Sequence, residues 1–197
     1  MSLKSKLLMV LASLLLVTLY FTPIWTITLT APQYPTGLGM YISVDDITGH
    51  EQHDLQNINI LNHYVGMKPI VPEEIPELDF MPWMIAGLIF MGLMVAVIGK
   101  PSLIIAWLVL FLICGVAGLV DFYMWGYDYG HNLNPKAAIK IPGESYQPPL
   151  FGTKQMLNIK ASSYPYCGSL FMGISLLLGC IASWLEFKPH KSMDDNV

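Results

Sequence analysis

The chain has no arginine and little charge of any kind: 12% of its 197 residues are charged, with a formal net charge of −4. A surface so poor in cations excludes a nucleic-acid partner, whose phosphates require clustered Lys and Arg. Cysteine is equally scarce. Cys114, Cys167 and Cys180 form no CxxC pair and no zinc spacing, which argues against a disulfide framework or a zinc ribbon. Cys114 and Cys180 fall inside apolar runs, where a thiol acts as a small hydrophobe. Only Cys167, at the edge of a run, is a candidate ligand. No nucleophile elbow and no zinc-protease motif is present, so hydrolytic chemistry has no support.

Apolar residues dominate instead. Hydrophobic side chains make up 54% of the chain and mean hydropathy is +0.51, which points to a membrane protein. Four runs suffice to cross a hydrocarbon core of about 30 Å: 7–28, 83–98, 103–124 and 167–187. The first follows Lys4 and Lys6 like a signal peptide, but it is too long and lacks a small-x-small cleavage site before Pro23. It reads as a retained anchor. Gly99-Lys100-Pro101-Ser102 alone separates the second and third runs, which predicts a helical hairpin. The expected fold class is an all-α membrane protein: four transmembrane helices, with extracytoplasmic loops 29–82 and 125–166 forming a small irregular outer domain, and a cytoplasmic tail over 188–197.

Lys4, Lys6, Lys100, Lys188 and Lys191 share one side if the spans alternate, and short lysine-bearing loops favour the cytoplasm. Both termini are therefore expected inside. Trp25, Trp83, Trp125 and Tyr166 then mark the outer interface. The other five lysines, Lys68, Lys136, Lys140, Lys154 and Lys160, fall in the longer outer loops among offsetting acids. No histidine lies within a predicted span, which leaves no bis-histidine haem in the bilayer. Asp121 is the one ionisable residue near the interior of a span; it reads either as a functional group or as a water-capped helix end.

The distinctive residues lie in the loops. In the first, Met40-Tyr41-Ile42-Ser43-Val44 alternates like a short strand, and Asp54 is placed to cap a helix of about 55–65 with Gly66 as its stop. His63 and Met67 stand four residues apart at that stop, and imidazole with thioether suits copper, Cu(I) above all. The glycine makes their shared face only approximate. His50 and His53 form a second pair at three-residue spacing, and Met40 adds a thioether. Asp45 and Asp46 offer oxygens, but no calcium-loop pattern surrounds them. Glu73, Glu74, Glu77 and Asp79 lie among prolines in a stiff acidic connector. The second loop is aromatic and glycine-rich around Trp125-Gly126-Tyr127-Asp128-Tyr129-Gly130-His131, followed by Pro142-Gly143-Glu144. Its aromatic content argues for packing rather than disorder, and His131 is a third candidate ligand beside its bland reading as a turn residue. Met81, Met84, Met91 and Met94 recur along the second span, as adaptable packing or as a soft-metal relay.

Pro23-Ile24-Trp25, Ala31-Pro32-Gln33-Tyr34-Pro35, Ile60-Leu61-Asn62-His63-Tyr64-Val65-Gly66-Met67 and Tyr127-Asp128-Tyr129-Gly130-His131-Asn132 resemble motifs of a bacterial multi-pass membrane-protein family. That family is similar to products encoded beside the copper chaperones and accessory proteins of nitrous oxide reductase. The resemblance spans both outer loops and implies copper handling in the envelope, at the inner membrane, with a copper chaperone or cuproenzyme as partner. It brings no ligand set. The metal candidates His63, Met67, His50, His53, Met40 and His131 rest on residue type and spacing. Two other functions compete: a membrane redox enzyme, quinone- or thiol-linked, and a metal-free assembly factor that docks a partner through its outer loops.

Overall fold

The computed structural model describes residues 1–139 and 145–188. The tail beyond 188, with Lys191, and the stretch 140–144, with Lys140, Pro142, Gly143 and Glu144, lie outside the described residues.

Four helices are long and apolar enough to cross a membrane. The first combines α1 (Leu3–Leu15) with a 3-10 continuation over Leu16–Tyr20; the others are α3 (Pro76–Ile98), α4 (Pro101–His131) and α5 (Cys167–Phe187). Helix α5 has the limits the hydropathy predicts. Gly99, at φ +73°, ends α3, and Pro101 opens α4, so the expected hairpin forms where a left-handed glycine and an N-terminal proline meet. The Met1 ammonium donates to the Gly99 carbonyl at 2.9 Å and stands 3.7 Å from Glu186, which gathers the N-terminus, the hairpin and the end of α5 at one end of the bundle.

The opposite end is more than the small irregular domain with one short strand expected under an all-α fold class. It carries a five-stranded antiparallel sheet of order β3-β2-β1-β5-β4, formed by β1 (Trp25–Ala31), β2 (Tyr34–Ile42), β3 (Ile47–Gly49), β4 (Gly152–Met156) and β5 (Ile159–Pro165). The physical reason is visible in β1. The first apolar run stops being helical at Tyr20, and Trp25-Thr26-Ile27-Thr28-Leu29-Thr30 alternates apolar with β-branched polar residues at period two. The 22-residue hydropathy of 7–28 therefore joined a helix to a strand. β1 pairs with β2 on one side (Ile27 opposite Met40) and with β5 on the other (Ile27 opposite Ser163), which draws both long loops into one sheet.

The sheet has one packed and one open face. Ile27, Leu38, Met40 and Ile42 pack against Ile58 of α2 (Asp54–Val65) and against Ile75 and Leu78 beneath. On the far side Thr153 meets Ser162 and Tyr164, Thr26 stands in register with Tyr41 and Tyr164, and Tyr41 packs on Tyr166. Helix α4 also differs from expectation: it runs unbroken past 124 to His131 and lifts Trp125 and Tyr129 into the core below the sheet. Tyr127-Asp128-Tyr129-Gly130-His131 is thus helical rather than irregular.

Candidate functional site

Helix α2 ends in a Schellman motif. Gly66 adopts φ +86°, its N–H donates to His63 O at 3.3 Å, and the Met67 N–H reaches back to Asn62 O at 2.9 Å. This reversal separates the first pair of candidates. His63 remains exposed in the last helical turn, whereas Met67 turns under the helix and packs with Val65, Tyr146, Met156 and Ala161.

Met67 there joins two other thioethers. Met40 from β2, Met67 from the end of α2 and Met156 from the end of β4 all line one apolar cavity of about 50 Å³, between α2 and the buried face of the sheet. Met40 is 3% exposed and Met156 8% exposed. Ile27, Ile58 and Tyr129 complete the walls, and Asn62 contributes a polar group. Sequence reasoning did not reach Met156. Its strand carries no apolar run, and its position under α2 depends on β4 pairing with β5 and β5 with β1.

The surface above this pocket is a seam between two chain segments. Asn134 N–H donates to Gly66 O at 2.8 Å and Ile139 N–H to Tyr64 O at 2.9 Å. Lys68 Nζ sits 2.7 Å from Asp128 Oδ2, and Tyr129 donates its hydroxyl to Pro69 O. The Asp128 carboxylate raises the Lys68 pKa above its ordinary value, first through the hydrogen bond and then through charge attraction. Each segment brings an exposed histidine at a helix C-terminus, His63 on α2 and His131 on α4, where unpaired carbonyls favour cations. His131 stacks on Tyr127 at 4.0 Å and contacts its carbonyl through Nδ1 at 3.0 Å.

The remaining candidates stand elsewhere. His50 lies over the open face of the sheet, with Nε2 2.8 Å from Thr26 Oγ1 and its ring 4.0 Å from that of Tyr41. It covers Gly39, where any Cβ would collide with the imidazole. Met40 points to the opposite, buried face, so the sheet itself separates His50 from Met40. His53 is exposed just before α2. Among the described residues, no three His, Cys, Asp or Glu side chains gather into a metal cluster; the grouping that does form is of methionines.

The fold and this pocket define a class: a multi-pass membrane protein with four candidate spans, carrying at one end a sheet-and-helix domain around a methionine-lined cavity. No family model matches the chain, and no curated protein matches it.

Proposed function

We propose that the protein is a copper-handling accessory of the bacterial envelope, which holds Cu(I) among Met40, Met67 and Met156 and passes it to a partner. The observation that carries this reading is that three methionines, from three separate elements, line one apolar cavity of about 50 Å³. Thioether sulfur is soft and uncharged; it favours Cu(I) and gives no purchase to calcium or magnesium. His63 and His131 flank the seam above, where imidazoles at helix ends would collect the ion and release it. Lys4, Lys6, Lys100 and Lys188 face the cytoplasm in this proposal, so the sheet domain meets the envelope. The family resemblance makes a copper chaperone or cuproenzyme the partner, with nitrous oxide reductase as the enzyme served.

The test separates ligation from packing. Leucine replaces methionine at nearly constant volume, so Met40→Leu/Met67→Leu/Met156→Leu keeps the core while removing every sulfur. Anaerobic Cu(I) titration of the full chain against a chromogenic competitor should give one tight site in the wild type and none in the triple variant. His63→Ala/His131→Ala should retain the stoichiometry and slow metal exchange. Undiminished Cu(I) affinity in the folded triple variant would sink the proposal. A metal-free assembly factor predicts that outcome, together with full partner binding.

A further inference from the structure

We infer that the membrane region holds a second, independent site: a pocket for a ring-headed, hydroxyl-bearing lipophile of the hydroquinone class, drawn from the bilayer. Beneath the sheet, the sheet-side halves of α3 and α4, together with Leu19, Ile24 and Met172, line an apolar cavity of about 190 Å³. An engineered cavity of about 150 Å³ accepts benzene, so this volume suits one substituted ring and is too small for a whole phospholipid.

Three features give it shape and chemistry. One wall is bare backbone: Gly115 and Gly118 of α4 line the cavity, and a Cβ on either would meet nothing within 4 Å. The upper wall is aromatic, with Trp25 edge-on to Phe122 at 5.5 Å and Phe122 stacked on Trp125 at 6.2 Å, and such faces pack well against a planar ring. The third feature is acidic. Glu77 and Asp121 both line the cavity, and neither has a hydrogen-bond or ion-pair partner among the described residues. Asp121 stands within the span of α4, exposed on its surface, and a carboxylate at that depth without a protein partner points to function. It accepts a hydrogen bond from a phenolic O–H, while two such groups together repel a phosphate headgroup. Leu119 lines the same cavity and is 45% exposed on the outer surface of the bundle, so a ligand enters sideways from lipid.

The experiment uses full-length protein in phosphatidylcholine nanodiscs, titrated calorimetrically under reducing conditions with a short-tailed alkyl hydroquinone, against empty nanodiscs. One saturable site is expected, and the dimethyl ether of the same compound should bind about tenfold more weakly because it cannot donate. Asp121→Asn should shrink that difference. Gly118→Leu should abolish binding by filling the cavity, with Gly115→Leu as the alternative if the first variant does not fold. Equal affinity for hydroquinone and ether, or no saturable binding, would overturn the inference. So would loss of binding on changing the lipid to phosphatidylethanolamine, which would assign the acids to an ammonium headgroup.

Discussion

The backbone N–H of Asn134 donates to the carbonyl of Gly66 at 2.8 Å, joining the residues after α4 to the end of α2. Gly66 holds φ at +86°, and a Cβ there would stand 2.9 Å from Ala137 Cβ and 3.0 Å from Asn134 N. Gly66→Ala therefore combines left-handed strain with a clash against backbone. The expected loss is about 1–3 kcal/mol, measured as a lower thermal midpoint in detergent. Since Met67 is the next residue, Cu(I) affinity should fall in the same variant. An unchanged midpoint would show that the seam does not hold the domain together.

Asp54 fixes α2 to the sheet. It is 8% exposed, and its Oδ2 accepts from Gly39 N–H at 2.9 Å and from Glu51 N–H at 3.3 Å. Asp54→Ala would leave the Gly39 amide buried without a partner, at a cost of about 1–3 kcal/mol. Asp54→Asn retains an acceptor oxygen and should cost less. Chemical denaturation of the two variants side by side tests this ordering, and equal losses would contradict it.

These residues also show how far the sequence could be read. The hairpin at Gly99 and Pro101, the helix ending at Gly66 and the limits of α5 are local signals, set by one glycine, one proline or one apolar run. The sheet is not local. In β1 the alternation begins with Thr26 and Thr28, inside the run 7–28 that is apolar enough to pass as membrane helix, and only Thr30 lies beyond it. β4 and β5 carry Lys154, Gln155, Lys160 and Ser162 and become strands because β1 offers an unpaired edge more than a hundred residues earlier in the chain. The candidate pocket divides the same way. Residue type drew attention to Met40 and Met67, whereas Met156 and the inward turn of Met67 follow from sheet pairing and the Schellman reversal. For His63 and Met67 the stop at Gly66 is legible in the sequence and leaves their shared face only approximate; what it does not show is that the Schellman reversal turns Met67 inward while His63 stays exposed.

Leu157 is the one non-glycine residue at positive φ among those described, at +54° in the two-residue turn between Met156 and Ile159. A branched apolar side chain in the left-handed region costs about 1–2 kcal/mol, and asparagine tolerates that region far better. Leu157→Asn should therefore raise the thermal midpoint, an uncommon sign for a substitution in an untouched protein. A fall would mean that the half-exposed leucine contributes more by packing than its backbone loses.

The Lys68–Asp128 pair sets a pH expectation. Lys68 is titrated above its ordinary value of 10.5 because Asp128 favours the charged ammonium, so its contribution is complete below 10.5 and fades as pH climbs through the raised value. Between about pH 6 and pH 9 the contact should be constant. Both side chains are open to solvent, 54% and 41% exposed, so salt should weaken it where pH does not. Lys68→Gln should lower the salt sensitivity of the midpoint at neutral pH; equal salt slopes would show the pair to be energetically silent.

Trp107 locks the bundle by filling space that two glycines leave. It is fully buried, donates from Nε1 to Leu88 O at 2.9 Å and meets Phe111 edge-on at 5.2 Å. A Cβ on Gly92 would lie 2.9 Å from its Nε1 and collide with Ser13 Oγ, and one on Gly179 would lie 2.7 Å from its ring. The indole thus fixes how closely α4 approaches both α3 and α5. Trp107→Ala should cost about 3–5 kcal/mol through the void it leaves, and Gly179→Ala should destabilise by overpacking. Trp107→Phe removes ring volume on the side that Gly179→Ala fills, so the double variant should be more stable than the sum of the single losses predicts. A coupling of about 0.5–3 kcal/mol is expected for residues in such contact. Strict additivity in a thermal or denaturant series would place the Gly179 constraint on another neighbour, with Leu108, 2.9 Å from the same added Cβ, the next to test.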